Sequence, residues 1–351
     1  MRDSLASIGS TRGPSGRVTS EGGGGGLLRR TFLMALALGG GGLFKGFAGA
    51  AERARPFLIG ALTESWGPTP QMAGLRDGLH TLSYREHEQF VLGVRFTQGD
   101  LAALPAVARE LVQYGVDLIF VTEENPAMAV LLATTRIPIV FAAVGDPLGL
   151  GLIQSFARPG GNVTGVTNLD LELGPKRLEV FREILPGLKR VLYPYDSRDA
   201  YAVAAAREYR DAARRLGIVL VEREVQSQEE AQATLAQVRK SEVDGILKPR
   251  GISLNIPGFI LRATSERAIP AMFDATWWVE QGGLASYGSD FYESGRQAAR
   301  LVDKILKGAN PAEIPVEVNP KIELGINLQV AKTLGLTIAP EVLYRADRLV
   351  R

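Results

Sequence analysis

The sequence predicts an α/β protein of two doubly wound lobes joined by hinge crossovers, and three observations carry that prediction. From about residue 56 onward, short apolar runs alternate with longer segments of helical periodicity. The runs are apolar at nearly every position, which is the pattern of parallel strands covered by helices on both faces. The alternation also comes as two successive blocks of similar length, and 351 residues suit two such lobes better than one oversized sheet.

In the first block, "RPFLIGAL" reads as a strand, Pro70 to Leu82 as a helix and "FVLGVRF" as a strand. Leu101 to Tyr114 is a helix with Leu104, Val107, Ala108, Leu111 and Val112 on one face. "VDLIFV" leads to a helix from Pro126 to Thr134, and "IPIVFAAV" to one around Leu148 to Phe156. "PGGNVTGVTN" marks the turn and strand by which the chain leaves this lobe. The second block then reads as a helix over Leu173 to Leu185, the strand "KRVLYPY", a helix over Ala200 to Leu216, the strand "IVLVEREV" and a helix over Glu229 to Ser241. "VDGILK", a helix near Ile256 to Ala268 and the short strand "IPAMFD" complete it. The glycines of "PGGNVTGVTN" and "GGLASYGSD" fall between the blocks, where they can absorb hinge rotation. A third crossing is expected between a helix over Tyr292 to Lys307 and strands near Val316 and Ile322. The expected organisation is a leader over 1–50, lobe 1 over 51–167 plus about 288–312, and lobe 2 over 168–287 plus about 313–351.

The leader reads as an address. Its first 26 residues are polar and glycine-rich, without periodicity, and bury too little apolar surface to offset their chain entropy. Arg29 and Arg30 then precede Thr31, Phe32 and a modest apolar stretch that ends in Ala48-Gly49-Ala50, an A-x-A cleavage pattern. The paired arginines resemble a twin-arginine export signal, the alternative being a general secretory leader whose basic region holds two arginines. The stretch is too short and too broken by glycine to span a membrane stably. No cysteine follows it, so a lipoprotein is not expected.

Composition narrows the chemistry. A net charge of +2, with Lys and Arg scattered among nearly as many acids, shows none of the basic patterning that nucleic acid requires. The absence of cysteine removes disulfides, thiolate nucleophiles and cysteine-held clusters or zinc, and only His80 and His87 are left for a histidine metal site. No cofactor is expected: "LIGALTESWG" lacks the dinucleotide fingerprint, and there is no phosphate loop. There is likewise no G-x-S-x-G elbow and no histidine placed as a general base, so an enzyme is not expected.

Ligands of open α/β sheets bind beyond the carboxyl ends of the strands. In lobe 1 those ends carry Thr63-Glu64-Ser65-Trp66, Thr122-Glu123-Glu124-Asn125, Gly145-Asp146-Pro147 and Thr167-Asn168. In lobe 2 they carry Tyr195-Asp196, Lys248-Pro249-Arg250 and Asp274-Ala275-Thr276-Trp277. If the lobes face each other, these groups line one cleft suited to a small polar ligand with a flat apolar part. The candidate ligand-binding residues are Trp66, Thr122, Asn125, Asp146, Asp196, Arg250, Asp274 and Trp277, for stacking, hydroxyl or amide hydrogen bonding, and charge pairing. Asp146 before a proline, and Thr122 and Asn125 before a helix, also suit plain turn or capping roles. Of the adjacent Trp277 and Trp278, at least one is expected in the core.

"IPIVFAAVGDPLGLGLIQSFARPGGNVTGVTN" and "GGLASYGSDFYESGRQAARLVDKILKGANPAEIPVEV" resemble signature stretches of the ABC transporter substrate-binding protein family that includes tryptophan- and tyrosine-binding members. The likeness runs from Pro56 to Leu336. It implies the type I periplasmic-binding fold, in which two lobes close on a solute and deliver it to a membrane permease. It also implies that Thr122, Asn125, Asp146 and Asp274 lie at the cleft. Where that family usually shows Asn-Pro after the first strand of lobe 2, this chain has Tyr193-Pro194-Tyr195-Asp196, and Lys248-Pro249-Arg250 stands where Thr-Asp-Asn is common. The new bases shift the expectation toward an anionic or carboxylated ligand.

The expected protein is therefore a monomeric periplasmic solute-binding subunit of an ABC importer, with a small amino acid or carboxylate as ligand and an inner-membrane permease as partner. An exported sensor of the same fold, signalling to a membrane receptor, and a secreted α/β enzyme are the alternatives. Fold alone does not separate them.

Overall fold

Residues 55–168, 170–249 and 253–351 are described by the structure, a computed structural model. The leader and export signal expected over 1–50 lie outside the described residues. The first apolar runs become β1 (Phe57–Thr63), β2 (Phe90–Phe96), β3 (Leu118–Thr122), β4 (Ile139–Val144) and β5 (Val163–Thr167). Between them run α1 (Pro70–Thr81), α2 (Leu104–Tyr114) and α3 (Glu124–Ala133). Every residue of β3 and β4 is buried. Alternation along these strands splits their side chains between two cores. Phe120 and Val140 join Ile59, Leu75 and Val302 on one face, while Ile119, Val121 and Phe141 join Leu62, Leu104 and Leu111 on the other. Each such side chain contributes about 1.5–3 kcal/mol by leaving water.

The chain then builds the second lobe from α4 (Asp170–Ile184), β6 (Arg190–Asp196), α5 (Ala200–Leu216), β7 (Val219–Val225), α6 (Gln228–Gln237), β8 (Gly245–Leu247), α7 (Ile256–Arg267), β9 (Ala271–Phe273), α8 (Thr276–Glu280) and β10 (Ala285–Ser289). It returns to the first lobe for α9 (Phe291–Leu306) and β11 (Glu317–Val318). A third crossing leads to β12 (Ile322–Asn327), α10 (Leu328–Thr333), α11 (Pro340–Tyr344) and β13 (Arg348–Val350). The first sheet has the order β11-β5-β4-β3-β1-β2 and is parallel throughout. The second has the order β13-β12-β10-β9-β8-β6-β7, with β10 and β12 antiparallel. Because β11 pairs with β5, the return into lobe 1 extends through Val318, past the 312 that the sequence suggests.

Hydrogen bonds lace the three crossings together. The Asn319 amide donates to the Thr167 carbonyl at 2.8 Å, the Asp290 amide to the Lys321 carbonyl at 3.0 Å, and Asn319 Nδ2 to the Asp290 carbonyl at 2.7 Å. None of the described crossing residues 168, 290 and 319–321 is glycine. The glycines expected to absorb hinge rotation do other work. Gly160 and Gly161 make a left-handed turn before β5, and Gly288 lets β10 pass close to β9, since a Cβ there would lie 1.9 Å from the Asp274 carbonyl oxygen.

One expected helix is absent. Residues 148–151 form turns and 152–156 run on as irregular chain, because Asp146 Oδ1 accepts from the Gly149 amide at 2.8 Å and Gly151 takes a φ of +70°. Two glycines in one short segment are worth about 2 kcal/mol against a helix. A polar run, "ASYGS", becomes β10 instead, a central strand of the second sheet.

Candidate functional site

Strand exits from both sheets converge on one cavity of about 240 Å³, room for a single ligand of amino-acid size. Lobe 1 supplies the loop Ser65 to Gln71, Glu123 and Phe291; lobe 2 supplies Lys248, Asn255, Pro257, Asp274, Trp277 and Trp278. The loop after β1 is held by the cap of α1, where Thr69 Oγ1 accepts from the Met72 amide and Pro70 occupies the first turn. That fixes Trp66, 42% exposed, at the cavity mouth against Gly99, where a Cβ would come within 2.3 Å of the indole. On the facing lobe, Trp277 and Trp278 meet edge to face at 4.5 Å, and Trp278 stacks on Phe273 at 5.9 Å. All three tryptophans of the chain line this one cavity.

Among the described residues, charge enters at two places. Lys248 Nζ lies 2.8 Å from Asp274 Oδ2, with both side chains almost fully buried. Opposite them is Glu123, whose Oε2 accepts from the Thr63 hydroxyl at 3.1 Å. Glu123 has a φ of +70° and ψ of 169°, a conformation usually left to glycine, in which a side chain is worth about 1–3 kcal/mol of strain. The strain turns the chain out of β3 one residue before α3 begins. Gln71, 2% exposed, also lines the wall, and its Oε1 has no partner among the described residues.

Around this cavity the lobes touch. Asn125 Nδ2 donates to Glu64 Oε2 of its own lobe and to Asp199 Oδ2 of the other, both at 3.3 Å. Asp199 caps α5 through the Tyr201 and Ala202 amides, and burial, reinforced by the charge of Glu124, pushes its carboxyl up to about 6. Gly145, at the exit of β4, meets Tyr201 so closely that a Cβ would lie 1.8 Å from the phenol oxygen. These contacts make the described state a closed one.

Of the residues predicted for the cleft, Trp66, Asp274 and Trp277 line the cavity. Asn125 instead bridges the lobes beside it. Thr122 is fully buried at the end of β3 and is not part of the wall. Asp146 makes the turn to Gly149, the capping role its Asp-Pro context allows. Asp196 is occupied by Arg198, which donates to its two carboxylate oxygens at 2.9 and 2.8 Å, and it too stays out of the cavity. Arg250 lies outside the described residues. Gln71 and Phe291 were not singled out in the sequence, Trp278 only as a neighbour of Trp277, and Glu123 and Lys248 only among the strand-exit groups and not among the candidate ligand-binding residues. Lys248 ends an apolar strand, which is a usable signal, whereas Glu123 reaches the wall through a backbone conformation that its neighbours do not announce.

No helix among the described residues is long and apolar enough to cross a membrane, and no described group of His, Asp or Glu could hold a metal ion.

Residues 64–350 match the family described as ABC transporter substrate binding protein. A tyrosine-binding protein of Clostridioides difficile is 27% identical over 265 residues, 75% of this chain and 76% of that protein. Among solved structures, a conserved domain protein from Vibrio cholerae is 31% identical with a TM-score of 0.76, covering 84% of this chain and 100% of the other. An ABC domain from Streptococcus pneumoniae in complex with L-Trp is 28% identical with a TM-score of 0.75, over the same shares of the two chains.

Proposed function

The chain belongs to the ABC transporter substrate binding protein family, and from that premise we propose that it captures an aromatic amino acid, or a close analogue of one, between its closing lobes and delivers it to an inner-membrane permease. The observation that carries this reading is the cavity itself. Three tryptophans and Phe291 form an apolar slot, and a few charged groups, Lys248, Asp274 and Glu123, stand at its wall. That combination suits a flat ring bearing a small polar head. The Streptococcus protein solved with L-Trp and the tyrosine-binding relative support the same ligand class.

Closure follows from where the wall comes from. A ligand that touches Trp66 and Glu123 on one lobe and Trp277 and Asp274 on the other gains contacts only when the lobes meet, and this differential affinity drives the equilibrium. The leader, with Arg29-Arg30 and Ala48-Gly49-Ala50, supports a periplasmic location reached by the twin-arginine route.

The test is a thermal-shift screen of protein refolded to remove carried-over ligand, against amino acids, aromatic carboxylates, nucleosides and vitamins. A ligand at a hundredfold over its dissociation constant adds about 2.7 kcal/mol to the native state. L-tryptophan, L-tyrosine or a near analogue is expected to give the largest shift. A screen in which aromatic amino acids leave the melting temperature unchanged while another class raises it would refute the reading.

A further inference from the structure

Gln71 is the second residue of α1, and its backbone is held in place by α9. Gly295 of α9 packs so closely on it that a Cβ there would lie 2.0 Å from the Gln71 carbonyl oxygen, and Gly74 meets the Tyr292 carbonyl oxygen of α9 at the same distance. Side chains of a helix lean toward its N-terminus. Here that end faces the cavity, which Thr69, Pro70 and Gln71 line together with Phe291 at the start of α9. Two helices in backbone contact thus hold the Gln71 side chain at the slot.

The amide has no evident structural task. Gln71 is 2% exposed, and its Oε1 has no partner among the described residues. The hydroxyls beside it on the loop serve local bonds: Ser65 donates to the Gly67 carbonyl at 2.5 Å, and Thr69 Oγ1 accepts from the Met72 amide. Pro68 and Pro70 have no N–H to offer. An apolar side chain at this position would fill the space without burying an unpaired acceptor.

A ring that fills the slot strips solvent from that oxygen. If the ring carries a polar hydrogen, an indole N–H or a phenol O–H, it restores the bond; a ring of the same shape without one leaves the acceptor buried and unpaired. A site built to hydrogen-bond its ligand rejects the analogue lacking that group far more strongly than an apolar pocket rejects a change of one methylene.

We infer that Gln71 is a specificity-determining residue: it accepts a hydrogen bond from a polar hydrogen on the ring of the solute, and it discriminates against rings of the same shape that lack one. The inference rests on the reading of this cavity as the solute site, and it places recognition of the ring edge on lobe 1.

Calorimetric titration with two pairs of amino acids tests it, because each pair keeps the polar head and changes the ring alone: L-tryptophan against 3-benzothienyl-L-alanine, in which sulfur replaces the N–H, and L-tyrosine against L-phenylalanine. In the pair that the wild-type protein binds more tightly, the member with the polar hydrogen is expected to lead by about 5- to 150-fold. Gln71→Met, of similar length and without the acceptor, should bring that ratio to within about threefold of unity and leave the melting temperature of the ligand-free protein equal or higher. Gln71→Glu keeps an acceptor at the same reach and should retain the preference. Equal affinities within the tighter pair for the wild type, or an unchanged ratio in Gln71→Met, would overturn the inference and leave the solute reading standing. Failure of all four compounds to bind the wild type would overturn both.

Discussion

Gly145→Ala isolates lobe closure from folding. The backbone at Gly145 lies outside the left-handed region, so alanine fits the first lobe without strain and slightly reduces the entropy of the unfolded chain. Across the cleft, however, its methyl group would stand 1.8 Å from the Tyr201 hydroxyl oxygen and 2.6 Å from the carbon that bears it. Ordinary contact begins near 3.4 Å, so the lobes must part or a buried tyrosine, 4% exposed, must move. Overpacking of this kind is worth about 1–3 kcal/mol, and here it falls on the closed state alone. The dissociation constant should therefore rise about 5- to 150-fold, while the unfolding free energy of the ligand-free protein, from urea titration, stays within about 1 kcal/mol of wild type. Because all three tryptophans line the cavity, their intrinsic fluorescence reports the titration directly. Adding Tyr201→Phe removes the nearest atom and should recover part of the affinity. Unchanged affinity in Gly145→Ala, or a loss of folding stability equal to the loss of binding, would refute the reasoning.

Three further outcomes follow from the same geometry. Arg177 is buried and donates to Asp170, to the Tyr209 hydroxyl and to the Tyr287 carbonyl, so Asp170→Asn leaves a buried cation undercompensated and should lower stability by about 3–5 kcal/mol in urea unfolding. Asp199 has its folded carboxyl pushed up to about 6 from 3.8, so its contribution to stability is fully present below pH 4 and is lost as the pH rises through 6. Asp199→Asn keeps a helix cap without that titration, and its stability relative to wild type should improve between pH 4 and pH 7 by up to about 3 kcal/mol, measured by denaturation at each pH. Gly74→Ala would normally favour a helix by about 1 kcal/mol, but in α1 the new methyl would lie 2.0 Å from the Tyr292 carbonyl oxygen of α9. It should instead destabilise by about 1–3 kcal/mol, and a higher melting temperature would contradict the observed packing.

The fold was legible where hydrophobic pattern is local. β3 and β4 announce themselves because both faces are buried, and α5 begins and ends where Asp199 and Gly217 cap it. β10 was illegible because its residues, "ASYGS", are small and polar, and their burial comes from pairing with β9 on one side and with the distant, antiparallel β12 on the other. The site divides the same way. Trp66, Asp274 and Trp277 follow from the rule that strand exits face the ligand. Asp146 and Asp196 obey the same rule, yet a local partner takes each of them: the Gly149 amide for one and Arg198 for the other. Glu123 enters the wall only because its backbone adopts a positive φ, and Lys248 changes meaning only once its distance to Asp274 is known. Strand position was readable; the pairing of charges across strands was not.

The most direct test of the account is a crystal structure of the protein grown with the solute that raises its melting temperature most. The account predicts one molecule in the cavity between the lobes, its ring among Trp66, Trp277 and Trp278 and its polar head at Lys248 and Asp274. A solute bound outside that cavity, or held by one lobe alone while the lobes stand apart, would contradict it.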